Sequence, residues 1–393
     1  MLTFHARRFD NGEPAAVTID NGRILSVLPA WPRENVGSWP FVAPGLIDVQ
    51  INGRGGTWFC DPALTPDAVL DLLAGYMPFG VARLCPTLIT ASFEALAAGL
   101  HAIRQACERE RWADRMVAGC HLEGPSISPE DGPRGAHPRE HVRPPDGSEF
   151  EKLQAISGGR IRLVTLAPES PGACDFIARL TASGVVAALG HTAASTEQVA
   201  AAVAAGARLS THLGNGAAAM LPRHPNFLWD QAAEPRLMAS LITDGHHLPD
   251  NVIRCLFACK GPSRTIVTCD ASGLAGCPPG RYSVGGTAVE ILPTGRIVVA
   301  GQQYLAGSAA DTAHCVFYAQ RVLQLPLRQA IDLAHRNPCR LMGWEETRLE
   351  RGCRADLFVF HPPAPGQEER PRILATICDG VVRHRAPEWN PVL

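Results

Sequence analysis

Met116-Val-Ala-Gly-Cys-His-Leu-Glu-Gly-Pro125 is an apolar run that stops on a carboxylate, Glu123, with Gly-Pro behind it. The same construction recurs downstream. Ala187-Ala-Leu-Gly190 stops on His191, Leu209-Ser-Thr211 on His212, and Val267-Thr-Cys269 on Asp270. One carboxylate, two imidazoles and a further carboxylate are what a single divalent cation plus one proton-transfer group require. Glu123, His191 and His212 are therefore the candidate metal ligands and Asp270 the candidate proton carrier, which predicts a metal-dependent hydrolase. Each residue alone has a plainer reading. Glu123 could be an ion-paired strand end, either histidine a hydrogen-bonded core residue, and Asp270 a helix N-cap.

Working outward, eight apolar runs occur at strand length: Leu46 to Ile51, Val81 to Leu88, Met116 to His121, Ile161 to Leu166, Val185 to Leu189, Ala207 to Ser210, Met238 to Ile242 and Arg264 to Cys269. Segments such as Thr65 to Tyr76, Ser92 to Glu108 and Ser195 to Ala205 lie between them and carry Ala and Leu at helical spacing. Strands alternating with helices in this way predict an α/β fold, a (β/α)8 barrel of TIM type, whose C-terminal strand ends carry the active site. The Pro- and Gly-rich stretches Pro125 to Pro145 and Ala271 to Gly286 are too long for ordinary connections and read as active-site loops.

The chain ends read differently. Ala15 to Leu28 predicts two short strands around Asp20-Asn21-Gly22. Ala355 to Phe360, Ile373 to Cys378 and Val381 to His384 predict three more, with Asp379-Gly380 turning between the last two. Neither end has enough strands to bury a face alone, so the two are expected to combine into one small β-sandwich. The expected domains are 1–44 and 345–393 for that sandwich and 45–344 for the catalytic barrel.

Composition narrows the class. With 393 residues and 46% apolar content the chain can build a large core, so disorder is not expected. The balance of 36 Lys and Arg against 38 Asp and Glu lacks the basic excess of a nucleic-acid binder. No apolar stretch reaches membrane-span length and the N-terminus has no signal-peptide core, so no membrane partner is expected and a cytoplasmic location is. The 13 cysteines are odd in number, scattered and without a Cys-x-x-Cys pair, which reads as reduced thiols.

Taken together, Pro44-Gly-Leu-Ile-Asp-Val-Gln-Ile-Asn-Gly53, His121-Leu-Glu-Gly-Pro125, Val164-Thr-Leu-Ala-Pro-Glu169, Gly190-His191, Thr211-His-Leu-Gly-Asn215, Asp244-Gly-His-His247, Asp270-Ala271 and Leu305-Ala-Gly-Ser308 resemble the N-acetylglucosamine-6-phosphate deacetylases of the amidohydrolase superfamily. The resemblance runs from about Pro44 to Gly352-Cys-Arg-Ala-Asp356. It implies the barrel with a flanking β-sandwich, and hydrolysis of the acetamide of N-acetylglucosamine-6-phosphate to glucosamine-6-phosphate and acetate. Alternatives are the galactosamine epimer, an unphosphorylated sugar, another amidohydrolase reaction, or a non-catalytic sugar-phosphate-binding barrel.

Most amidohydrolases carry His-x-His at the end of the first strand, where it helps to hold a second metal. Gln50-Ile51-Asn52 stands there instead. Neutral amides are poor zinc ligands, so one divalent metal per chain is expected, zinc first, with Fe2+, Co2+ and Mn2+ as alternatives. The resemblance gives Asp270 the general base and acid role. It makes His137, in Gly135-Ala-His137, the imidazole that contacts substrate and polarises its acetyl carbonyl; the bland reading is a surface histidine like its neighbour His141. It further implies that Asn215, Gly216, His247 and the Leu305-Ala306-Gly307 segment hold the sugar phosphate. In the family an Arg from the neighbouring subunit grips the phosphate. The matching residue is Arg223, which implies a homodimer, but it stands in Pro222-Arg-His-Pro225 where the family has Arg-Glu-Pro-Gly, and Gly214-Asn-Gly216 replaces an aromatic-Asn-Ala.

Overall fold

The computed structural model describes residues 1–31, 36–284, 287–302, 304–364 and 370–391. Its centre is an eight-stranded parallel sheet, whose strands in chain order are Leu46–Ile51, Val81–Ile89, Cys120–Glu123, Ile161–Leu166, Val186–Leu189, Leu209–Ser210, Met238–Ile242 and Thr265–Thr268. Each pairs with the next in chain order. Helices cover the outside, and their starts were legible: Thr65, Ser92 and Ser195 cap Pro66–Ala74, Phe93–Arg109 and Thr196–Ala204, the last through a reciprocal capping box with Gln198. One expected strand is displaced. Met116 ends a short helix, Arg111–Met116, and the third strand begins only at Cys120. The apolar run is continuous because helix end and strand start face the same core, so hydropathy alone does not separate them.

The ring is closed by a side chain. Among the described residues the first and eighth strands share no ladder, only an isolated bridge from Ile51 to Ala271. Across that seam lies the buried Asp48 carboxylate, which accepts from Gln50 N at 3.0 Å, Cys269 N at 3.0 Å, Thr312 Oγ1 at 2.7 Å and the Thr268 hydroxyl. Below it, Val49, Leu163, Ala188, Leu209 and Ile266 fill the barrel interior against Leu341 and Met342. With the lower bore packed, the open space for a ligand lies at the C-terminal mouth.

The chain ends do combine, as one seven-stranded mixed sheet in the order 381–385, 372–378, 357–361, 41–44, 2–8, 14–20, 23–29. Both turn signals hold: Asn21 and Gly22, like Asp379 and Gly380, take positive φ. Two strands were unforeseen, Leu2–Arg8 and Phe41–Pro44; the second pairs antiparallel with Leu357–His361 and parallel with Leu2–Arg8, and so splices the two halves. Phe4, Val17 and Ile24 from one half share a core with Leu357, Val359 and Ile377 from the other.

The stretch Ala271 to Gly286 is not all loop. Gly280–Val284 begins a three-stranded antiparallel sheet with Thr287–Ile291 and Ile297–Val299, while Gly285 and Gly286 lie outside the described residues. No helix among the described residues is long and apolar enough to cross a membrane.

Candidate metal and catalytic site

Glu123 is the last residue of the third strand, and His191, His212 and Asp270 follow the fifth, sixth and eighth. The latter three have left-handed backbones, with φ of 52°, 32° and 49°. That conformation is costly for residues with a Cβ and persists where the surroundings impose it, commonly at functional sites. Here it turns each side chain from the strand direction into the barrel mouth.

The three candidate ligands converge. His191 Nε2 lies 3.2 Å and His212 Nε2 2.9 Å from Glu123 Oε1, and the two imidazole nitrogens are 3.1 Å apart. His191 Nδ1 is 2.8 Å from the Pro133 carbonyl. A carbonyl only accepts, so Nδ1 carries the proton and Nε2 presents a lone pair. A carboxylate oxygen and imidazole lone pairs aimed at one point repel unless a cation or a shared proton lies between them. One carboxylate oxygen and two imidazole nitrogens, all buried and within 4.8 Å of one another, fit a divalent transition metal. Burial pulls Glu123 toward protonation, but His191 and His212 outweigh it and hold the carboxyl well below its ordinary range. Burial likewise disfavours charge on His212, and the hydrogen bond to Glu123 reverses the balance.

Gln50 and Asn52 turn their amide N–H groups toward the two carboxylates. Gln50 Nε2 donates to Glu123 Oε1 at 2.8 Å, and Asn52 Nδ2 donates to Asp270 Oδ1 at 2.8 Å. Each amide places a partial positive charge beside a carboxylate. Asp270 is buried, and that burial, reinforced by the Glu123 charge, pushes its carboxyl up to about 7, against His212 and the Asn52 hydrogen bond.

His137 joins this group. Its ring meets the His191 ring edge-on at 4.3 Å, and its Nε2 is 4.0 Å from Glu123 Oε2. Burial, followed by the neighbouring His191, pushes its pKa down to about 3, so the imidazole is neutral. His141, the residue it could be confused with, does not line the cavity.

A cavity of about 420 Å³ opens over these residues. Asn52, Asn215, Gly216, His247, Leu305, Ala306 and Gly307 also line it. His247 is braced by Asp244, whose Oδ2 is 2.8 Å from its Nδ1 and also accepts from Ser308 Oγ at 2.7 Å. Gln50 sits behind Glu123 and does not reach the cavity. Arg223 is exposed and does not line it either.

Sequence reading missed the apolar wall formed by Trp58, Val284, Val289 and Tyr304. Trp58 comes from a two-stranded excursion, Gly53–Arg54 with Thr57–Trp58, Val284 and Val289 from the small sheet after the eighth strand, and Tyr304 from the segment that follows that sheet. The alternation in Thr287-Ala-Val-Glu-Ile291 was the available signal for that sheet, obscured by the surrounding glycines.

The amidohydrolase family model matches residues 41–383. N-acetylgalactosamine-6-phosphate deacetylase of Escherichia coli O157:H7 is 34% identical over 345 residues, covering 87% of this chain and 89% of that protein. N-acetylglucosamine-6-phosphate deacetylase of Bacillus subtilis (strain 168) is 31% identical over 387 residues, covering 96% and 94%. Among solved structures, an Asp-to-Ala variant of N-acetyl-D-glucosamine-6-phosphate deacetylase from Mycobacterium smegmatis, in complex with N-acetyl-D-glucosamine-6-phosphate, is similar with a TM-score of 0.83 and 30% identity, covering 94% of each chain. The buried Glu-His-His group at the barrel mouth and these similarities agree: the chain belongs to the amidohydrolase family, in its branch of N-acetylhexosamine-6-phosphate deacetylases.

Proposed function

We propose that this protein hydrolyses the acetamide of an N-acetylhexosamine-6-phosphate, with N-acetylglucosamine-6-phosphate as the first substrate to test and the galactosamine epimer as the alternative. The observation that carries the reading is the convergence of Glu123, His191 and His212 beside Asp270 at the floor of one cavity. These three residues would hold one divalent cation, zinc first. Such a cation supplies Lewis acidity toward the acyl oxygen and the attacking water. Asp270 takes the proton of that water and passes it to the leaving amine nitrogen; Asn52 occupies Oδ1, which leaves Oδ2 to carry the proton. His137 donates from its neutral ring to the acyl oxygen as negative charge gathers there. Asn215, Gly216, His247 and the Leu305-Ala306-Gly307 segment hold the sugar.

The phosphate requires more than one chain supplies. The cavity lining contains no Lys or Arg among the described residues, so a dianion would find histidines, amides, hydroxyls and backbone there but no Lys or Arg side chain. We infer a homodimer in which Arg223 of one copy reaches the site of the other. Arg223 is exposed, and the exposed apolar residues Met220 and Trp229 flank it in sequence, which suits an interface. Arg223→Ala should raise KM for the phosphorylated sugar by roughly 10- to 150-fold, equivalent to about 1.5–3 kcal/mol for a charge-assisted hydrogen bond, and leave an unphosphorylated sugar unaffected. Mixing Arg223→Ala chains with Asp270→Asn chains should restore activity, because a hybrid dimer then holds one site with both residues intact. No recovery despite verified subunit exchange would assign Arg223 to its own chain or to solvent.

Acetate release from a panel of N-acetyl amino sugars of both epimers, with and without 6-phosphate, tests the reading as a whole. Absence of release from every phosphorylated sugar by metal-loaded protein would overturn it.

A further inference from the structure

Thr90 follows directly on the second barrel strand, is 1% exposed, and contacts His137 twice. Its hydroxyl oxygen is 2.9 Å from His137 Nδ1, and its backbone N–H points at the same nitrogen from 3.4 Å. The hydroxyl alone would be ambiguous, since it also lies 3.4 Å from the Glu123 carbonyl and could donate there while accepting from a protonated Nδ1. The backbone group removes the ambiguity. An N–H can only donate, so Nδ1 carries a lone pair and the ring proton sits on Nε2. Nε2 is the nitrogen on the Glu123 side, in a ring that lines the cavity.

We propose that Thr90 is a positioning residue: it holds His137 in the tautomer with hydrogen on Nε2 and aims that N–H at the acyl oxygen of the substrate. The opposite tautomer would present a lone pair to the same oxygen and repel the charge that the reaction develops there. The sequence makes room for this contact. Gly124 has φ of 81°, and a Cβ at that position would overlap the Thr90 hydroxyl, so the glycine of His121-Leu-Glu-Gly124 is what allows the hydroxyl to stand beside Glu123. The identity of the acyl oxygen rests on the deacetylase reading; the tautomer does not.

The test begins with long-range 1H–15N spectra of the metal-loaded protein carrying 15N-histidine. His137 is expected to show hydrogen on Nε2 and none on Nδ1; the reverse overturns the proposal without any substitution and without any substrate. Thr90→Val removes the hydroxyl while keeping volume and backbone. With only the long 3.4 Å backbone contact left to favour one tautomer, the tautomers should mix and kcat should fall roughly tenfold with little change in KM, since one buried hydrogen bond is worth about 1–1.5 kcal/mol. Thr90→Ser should restore both readouts. A Thr90→Val protein with full metal content and unchanged tautomer and kcat overturns the assignment, as does a loss that Thr90→Ser fails to recover. If Thr90→Val does not fold, the wild-type spectrum decides alone. If the wild-type protein releases no acetate, the deacetylase reading fails while the spectra still test Thr90.

Discussion

Asp270→Asn is expected to keep its cation and lose turnover by about 10²- to 10⁴-fold, the range that a positioned proton-transfer group contributes. The substitution preserves size, and the Asn52 neighbour can still pair with an amide by reorienting, so the fold and the Glu123-His191-His212 group should be untouched. What disappears is the ability to accept a proton. Near-normal turnover with metal bound would remove Asp270 from the mechanism. The pH profile gives a second check with a definite sign. Burial and the Glu123 charge raise this carboxyl to about 7, and a bound cation would favour the ionised form and lower it. The base must be ionised to act, so the acid limb of the wild-type rate should lie below pH 7. Asn52→Leu removes a hydrogen bond that favours the carboxylate, and the limb should therefore move to higher pH. A limb that stays in place would mean that Asp270 does not set it.

Removal of a ligand should be at least as severe. His191→Ala or His212→Ala leaves two donors where three converge, and each should abolish both metal retention and turnover. The loss should exceed the roughly 10- to 100-fold that follows from removing an outer-shell partner of a metal ligand. The fold should survive, because the barrel interior is sealed by the layer of Val49, Leu163, Ala188, Leu209 and Ile266 below the site and the metal group supports none of it. Metal content after gel filtration and thermal unfolding of the same samples separate these outcomes. Full metal retention would move the site elsewhere, and global unfolding would make the metal structural. In the wild-type protein the same assay should give about one equivalent per chain, because the neutral amides of Gln50 and Asn52 are poor ligands for a second transition metal. Two tightly held equivalents would refute that reading of the amide pair.

Much of this was legible before any coordinates. Strand ends are short-range features: an apolar run stopping on Glu123, Gly190-His191, Thr211-His212 or Cys269-Asp270 is visible locally, and barrel geometry brings all such ends to one mouth. The helical segments beginning at Thr65, Ser92 and Ser195 and the turns at Asn21-Gly22 and Asp379-Gly380 were legible for the same reason, since each is decided by a few adjacent residues. Tertiary structure decided whatever depends on partners distant in the chain. Nothing near Asp48 says that it stitches the first strand to the eighth, across 220 residues to Thr268 and 264 to Thr312. Nothing near Thr90 says that it will meet His137, 47 residues on. The apolar wall of Trp58, Val284, Val289 and Tyr304 belongs to the same class, being assembled from excursions after the first and eighth strands. Periodicity and local punctuation report the covalent neighbourhood, so the sequence by itself determined the barrel and singled out Glu123, His191, His212 and Asp270 as the candidate metal and proton-transfer residues. The hydrogen-bond partners that set the charge, tautomer and orientation of those groups exist only once the strands stand side by side.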